Sequence, residues 1–329
     1  MATGNYAFRD IRLAVEGTPG TKENTADQRL LGTLQVPMGG PVLHMPLEER
    51  GSLAPQRRTV VVGEDLPLTF EGDLLFDSVL YLLGMGIEAK TVKTSGSNPY
   101  SWDYIPQLSS TNTPAPCTFQ FGDDLAVYDV AYCTARQLQF SGVTDETVKM
   151  KAEMFGQNWE VGAFAPALGD TGIDPASTEV GLANKTTLYI DTAQGTPGTT
   201  VKTATLLSFT WTLDTGFRPL KYGSANVYWD ALVQNFPKIS CTMRAAFNTT
   251  TAAEQVFHKA GTARLFQIKI SGTGSDFLKL NFSGVYTSWN PLGNDDGLDV
   301  VEFTIESQYD SGLSTLFSVI LSNSLATQV

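Results

Sequence analysis

Histidine is almost missing from this chain: His44 and His258 are the only two in 329 residues, and neither has a second ligand-type histidine at metal-binding spacing. Both read as ordinary surface residues. Cysteine is scarce too. Cys117, Cys133 and Cys241 form no CxxC pair and leave one thiol over, which excludes a disulfide scaffold and points to synthesis in a reducing compartment. Charged residues make up only 17 %, and the 22 basic residues are outnumbered by 34 acidic ones, for a net charge of −12. Arg57-Arg58 is the only basic pair, so the basic patch that grips nucleic acid is lacking. Apolar stretches fall short of a membrane span, and Met1 to Asp10 holds no signal-peptide core, so a soluble protein made in the cytoplasm is expected.

Catalytic signatures are lacking as well. No GxSxG, Walker A or GxGxxG occurs, and Gly17–Lys22 lacks the P-loop spacing and the following helix. The acidic pairs Glu48-Glu49, Asp123-Asp124 and Asp295-Asp296 are adjacent residues, whereas acid–base catalysis needs two carboxyls held across a site. Asn294 to Asp299, with Asp295, Asp296 and Asp299, is the best cation loop, but it lacks the EF-hand spacing and its Glu, and a turn is the simpler reading. The expectation is a non-enzyme without a cofactor.

What is present is β-forming sequence. Hydrophobic residues reach 42 %, enough for a core, and 30 glycines and 16 prolines punctuate short β-prone runs. Leu30–Val36, Thr59–Val62, Leu66–Phe70, Cys117–Phe121, Tyr132–Phe140 and Thr147–Phe155 read as strands. In the last, Val148, Met150, Ala152 and Met154 alternate with Lys149, Lys151 and Glu153, so one face is buried and one is wet. Leu75, Phe76, Val79, Leu80 and Leu83 fall at helical spacing, with Asp73 as N-cap and Gly84 and Gly86 as the stop. Residues 37–58 hold four prolines and read as a long arm. Tyr100, Trp102 and Tyr104 alternate at period two inside a Ser/Thr/Asn/Pro-rich insertion over 87–116; they suit an intersubunit strand edge or a glycan-stacking platform. The whole is expected to be mainly β.

An internal repeat organises these pieces. Gly17-Thr18-Pro19-Gly20-Thr21 returns as Gly195-Thr196-Pro197-Gly198-Thr199 in the second half. After each copy comes a strand (Leu206–Leu213 in the second), then an arm (217–235), then a proline-led strand (Pro67 and Pro237), then a helix closed by glycine (Thr249–Ala260 before Gly261). Phe119-Gln120-Phe121 is answered by Phe266-Gln267-Ile268, Leu138–Gly142 by Leu278–Gly284, and Thr147–Phe155 by Val300–Ile305. The repeat predicts a domain over 1–160, a linker over 161–184 and a second domain over 185–329.

The order GT-rich opening, strand, arm, strand, helix, then Tyr-x-Trp-x-Tyr-x-Pro, Thr-Phe-Gln-Phe-Gly-Asp at 118–123 and Tyr-Cys-Thr-Ala-Arg-Gln-Leu-Gln-Phe-Ser-Gly at 132–142 resembles the tail tube (major tail) proteins of long, non-contractile-tailed bacteriophages. Leu188–Asp191, Phe209–Leu213, Pro219–Tyr222 and Val301–Glu306 extend the resemblance over nearly the whole chain. It implies β-sandwich or partly closed barrel domains, each with a flanking short helix, assembled as stacked rings in a virion tail.

The same resemblance implies partners: further copies of the chain, a tape measure protein, a tail terminator and a distal tail protein. With two tube-type domains per chain, three copies would imitate a six-fold ring. DNA would pass the lumen without specific binding. Ring stacking would fall to the arms, with His44, Glu48, Glu49, Arg57, Arg58, Arg218, Lys221 and Tyr222, while the N-terminal segment and the tail 311–329 would touch neighbours. An acidic wall would repel phosphates, and Glu64, Asp65, Glu71 and Asp73 are the candidates for it. An inner-tube subunit of a contractile injection apparatus is the nearest rival; a glycan-binding surface β-sandwich is the alternative of another class.

Overall fold

The computed structural model describes residues 4–36, 41–47, 53, 56, 58–88, 99–203 and 205–326. The fold is mainly β. In chain order it runs β1 (Asp10–Val15), β2 (Gln28–Arg29), β3 (Thr33–Gln35), β4 (Val42–His44), β5 (Val60–Gly63), β6 (Leu66–Asp73), α1 (Phe76–Gly86), β7 (Tyr100–Tyr104), β8 (Cys117–Gly122), β9 (Val127–Val143), β10 (Lys149–Gly156) and β11 (Asn158–Gly162). Then come β12 (Leu182–Thr192), β13 (Leu206–Asp214), β14 (Phe217–Leu220), β15 (Ala231–Gln234), β16 (Lys238–Ala246), α2 (Thr249–Ala252), α3 (Gln255–Ala260), β17 (Arg264–Ser271), β18 (Phe277–Asp295), β19 (Leu298–Ser307) and β20 (Phe317–Asn323).

Strand pairing follows one order twice. In the first half it is β1-β8-β9-β10-β6-β3, and in the second β12-β17-β18-β19-β16-β13, antiparallel throughout. Each half is a folded-over sheet whose long strand, β9 or β18, crosses from one layer to the other. A β-bulge marks the crossing in both, at Arg136 between Ala135 and Gln137 and at Thr287 between Tyr286 and Ser288. These bulges fix the register between the halves, and they correct one sequence match. Phe140-Ser141-Gly142 lies beyond its bulge, beside β10 and β13, whereas Phe282-Ser283-Gly284 lies before its own, beside β17.

The repeated pentapeptide closes equivalent turns. Gly20 and Gly198 both take positive φ, +81° and +85°, where a side chain would be strained. A carboxylate holds each turn: Gly20 N–H donates to Glu16 at 2.7 Å, and Gly198 and Thr200 N–H donate to Asp191 at 2.9 and 2.7 Å. Burial works against the Asp191 charge, but the hydrogen bonds from Thr199 and Thr200 outweigh it and hold the carboxyl below its usual range.

The halves join edge to edge. β13 of the second half pairs with β9 of the first from Gln137↔Asp214 to Val143↔Ser208, so one polar-faced sheet runs β3-β6-β10-β9-β13-β16-β19-β18 across the molecule. Behind it lies a single core that includes Phe70, Phe140, Trp211, Phe266, Phe282 and Phe303. Each such side chain contributes about 2–3 kcal/mol on burial.

Helix α1 departs from the sequence expectation at both ends. Its N-cap is Leu75, while Asp73 stays on β6, bound to Lys149 and Thr147. It also runs through Gly84 to Gly86, because Gly86 packs where a Cβ would meet Leu138 at 2.7 Å. All eleven residues are buried, Asp77 and Ser78 among them, and Asp77 accepts from Ser177 N–H and the Ser324 hydroxyl. The second helical segment matches its expected limits but is split into α2 and α3, ending at Gly261 with φ +61°. Glu254, at the split, is buried with Lys202 at 2.8 Å, Arg264 at 3.0 Å and the Tyr286 hydroxyl at 3.2 Å. This cluster fastens the helices to the second half.

Residues 163–181 form no strand or helix, yet they are tied down. Arg12 donates to Pro166 and Ala167 carbonyls, Arg29 to the Asp170 carbonyl, and Ser177 N–H to Asp77 at 2.7 Å. Within the terminal tail, β20 pairs with β18 in this chain's own sheet, and Asn323 reaches the Phe76 carbonyl at 3.1 Å.

Two stability predictions result. Glu254→Ala leaves Lys202 and Arg264 as uncompensated buried charges, and chemical denaturation should register a loss of about 3 kcal/mol. Burial, then Glu179 and Asp77, push the Asp276 carboxyl up to about 6. The folded state therefore binds this proton more tightly than the unfolded chain does, and its charge destabilises increasingly as pH rises from about 4 through 6. Asp276→Asn should raise stability by about 1 kcal/mol above pH 7 and leave it unchanged near pH 4, read from melting curves across pH.

Candidate assembly surface

Consecutive register positions lay out the solvent face of the joined sheet. One row reads Asp73, Lys149, Ser141, Thr210, Thr242, Thr304, Ser288, and the next Glu71, Lys151, Gln139, Thr212, Ser240, Glu306. Two of the four lumen candidates, Glu71 and Asp73, therefore share one face with residues from both halves. Neither is a free acid: Asp73 pairs with Lys149 at 2.6 Å and Glu71 with Lys151 at 3.3 Å. The hydrogen bonds from Lys149 and then Thr147 hold the Asp73 carboxyl below its usual range. Glu306 likewise pairs with Lys238 at 3.0 Å. The face is hydroxyl- and amide-rich, and its acids Asp73, Glu71 and Glu306 are each paired with a lysine. Glu64 and Asp65 lie elsewhere, at the foot of the β4–β5 hairpin: Lys221 donates to the Glu64 carbonyl at 3.0 Å and pairs with Asp65 at 3.5 Å.

The arms are hairpins. β4 pairs with β5, and β14 with β15. The first exposes Val42, Leu43, Met45, Leu47, Val60 and Val62, an apolar patch of the kind monomers seldom leave in water. His44 sits exposed on β4 opposite Val60, and Arg58 leads into β5. Glu48, Glu49 and Arg57 lie outside the described residues. In the second arm, Arg218 pairs with Asp214 at 2.8 Å, and Tyr222 is exposed with its N–H on Asp230 at 2.9 Å. A small separate core of Phe155, Phe217 and Trp229 seats this arm, with the Trp229 indole donating to the Gly156 carbonyl at 2.8 Å. The two arms touch through Glu64 N–H and the Val227 carbonyl at 2.8 Å.

The aromatic insertion is internal. β7 adds to β20, pairing Tyr104 with Val319 and Trp102 with Leu321, so a segment of the first half completes a sheet of the second. Trp102 and Tyr104 are fully buried, the indole donating to Asn323 at 2.9 Å and the hydroxyl to the Leu80 carbonyl at 3.2 Å; Tyr100 is half-buried. The two buried rings offer no face to a glycan or a neighbour. That correction has a physical reason: period-two aromatics mark a strand with one buried face, and the burial here is against β20.

Asn294–Asp299 is a hairpin tip. Asp296 and Gly297 have φ +49° and +86°, Asp295 faces Leu298, and Asp295 pairs with Arg244 at 3.1 Å. Among the described residues no three His, Cys, Asp or Glu side chains converge as metal ligands.

Two features have no signal in the sequence. One is a pair of open strand edges: among the described residues, β3 pairs only with β6, and β18 beyond Gly284 only with β19. The other is an open groove of 720 Å³ in the first half, walled by Ile11, Leu34, Phe121, Leu125 and Tyr128. Alternation reveals that a strand has a buried face, but it does not reveal which edge lacks a neighbour.

Trp102→Ala should lower stability by about 3–5 kcal/mol in denaturant titration, because the ring fills the joint between the halves. A surface aromatic would cost about 0.5 kcal/mol or less.

No protein-family model matches this chain, and none of the curated proteins matches it.

Proposed function

We propose that this chain is a structural subunit that self-associates into closed rings, and that the rings stack into the tail tube of a long non-contractile phage tail, a channel for DNA. The observation that carries the reading is the β9–β13 junction. Within one chain, two halves of equal pairing order meet with β13 added to the edge of β9. Under the same equivalence β18 corresponds to β9 and β3 to β13, and each of these has an edge with no partner strand among the described residues. An unpaired edge is a template for another strand. Adding β3 of one copy to β18 of the next repeats the internal junction, and a head-to-tail contact that closes makes a ring.

Further features support the same reading. The chain presents two halves of the sheet, so three copies supply six, as the resemblance to tail tube proteins implies. The apolar side chains of the β4–β5 hairpin arm are exposed, as a surface that packs on a stacked ring would be. The polar face, with its acids paired to lysines, offers DNA no basic grip. Paired acids also make electrostatic repulsion a weaker part of the reading than overall charge alone suggests.

Negative-stain microscopy of the purified protein at high concentration is the test. Rings of three subunits, or hollow tubes built of them, are expected. Six copies per ring would remove the pseudo-hexamer, and a chain that stays monomeric at all concentrations would remove the tube.

A further inference from the structure

The halves differ at one place where their equivalence says they should not. In the second half the cross-strand row Leu188–Ile268–Leu280 is buried to 1 % exposure or less, and Phe209 of β13 to 3 %. The matching row in the first half is Ile11–Phe121–Tyr128, with Leu34 of β3 matching Phe209. All four of these are only partly buried, and they wall the open 720 Å³ groove.

Near that end of the second half lie α1 and Leu74 of the first half. α1 packs across β9 and β20, and Val319 of β20 is the neighbour of Leu280. Gly181 sits between Leu74, at the foot of α1, and Ile270 of β17, with no room for a Cβ. The counterpart of α1 is α2–α3. It packs on β18, as α1 does on β9, and its outer side is exposed. Ala253, Val256 and Ala260 are exposed there, Val256 to 68 %, at the spacing of one helical stripe. Lys259 is exposed beside them, and Asp123 lies on the groove wall.

We propose that the groove of the first half takes the α2–α3 segment of a second copy, as the second half takes α1. The occupant follows from continuity. If β18 receives β3 of a neighbour as β9 receives β13, the same operation carries α2–α3 onto the neighbour's first half. The inference rests on the ring reading and commits it to a particular contact: Val256 against the wall of Leu34, Phe121 and Tyr128. It also accounts for the contrast between the helices. α1 can be buried along its whole length because its cover is built into the chain. α2–α3 must survive in water before assembly, and the buried Glu254 cluster holds it in place meanwhile.

The test uses the full chain. Val256→Glu changes an exposed side chain, so its melting temperature should match the wild type, while the concentration needed for ring formation in sedimentation velocity rises at least ten-fold. In parallel, Val256→Cys combined with Leu125→Cys, treated with a short bismaleimide under assembly conditions, should give cross-linked chains of two and three on a denaturing gel; either single variant should give none. Rings that form normally from the Val256→Glu chain, without the double-cysteine cross-link, would overturn this contact while leaving the ring reading intact. A wild-type chain that stays monomeric overturns both.

Discussion

Backbone hydrogen bonding at strand edges is the constraint on which this molecule depends. Every strand interior needs partners for its N–H and C=O groups on both sides, and the chain meets that need inside each half and at the β9–β13 junction. Among the described residues β3 and the far part of β18 are paired on one side only, as β7 and β11 are. Soluble sheet proteins ordinarily blunt such edges with charge, proline or a covering element. Here β3 is only three residues long, and the outer stretch of β18 carries Pro291 at a bulge between Asn290 and Gly293. These edges are blunted in part, and Ser288, Asn290 and Asn294 keep the rest of the β18 edge polar.

The interior explains why the two halves act as one body. β7 leaves the first half to complete the second half's sheet, β20 returns to hold α1, and Trp102 is hydrogen-bonded to Asn323 at the crossing. Unfolding either half exposes core belonging to the other. The rigid junction then serves as a pattern for the proposed contact between copies: the geometry that a neighbour must adopt is one the chain already contains.

Much of this is legible in the sequence. Alternation in Lys149–Phe155 reveals the buried and wet faces of β10, and the two GTPGT copies mark equivalent turns because glycine alone takes their left-handed φ without strain. The helix spanning Phe76 is visible from its spacing. Its ends are not, since they depend on the approach of Leu138 to Gly86 and on Lys149 drawing Asp73 into the strand. The Phe-Ser-Gly match misleads because a bulge shifts register without leaving a composition signal. Trp102 stands out in the sequence, but its partner β20 lies at the opposite end of the chain from β7, and no local pattern names so distant a partner. The paired lysines on the sheet face are likewise hidden, because net charge says nothing about which acids have neighbours.

Backbone amide exchange in the assembled state against the dilute monomer tests edge-to-edge assembly most directly. The outward-facing amides of Thr33–Gln35 and of Ser288–Asn294 should exchange fast in the monomer and become strongly protected on assembly, while those of the β9–β13 junction are protected in both. Assembly that leaves both open edges exchanging as fast as in the monomer would contradict it.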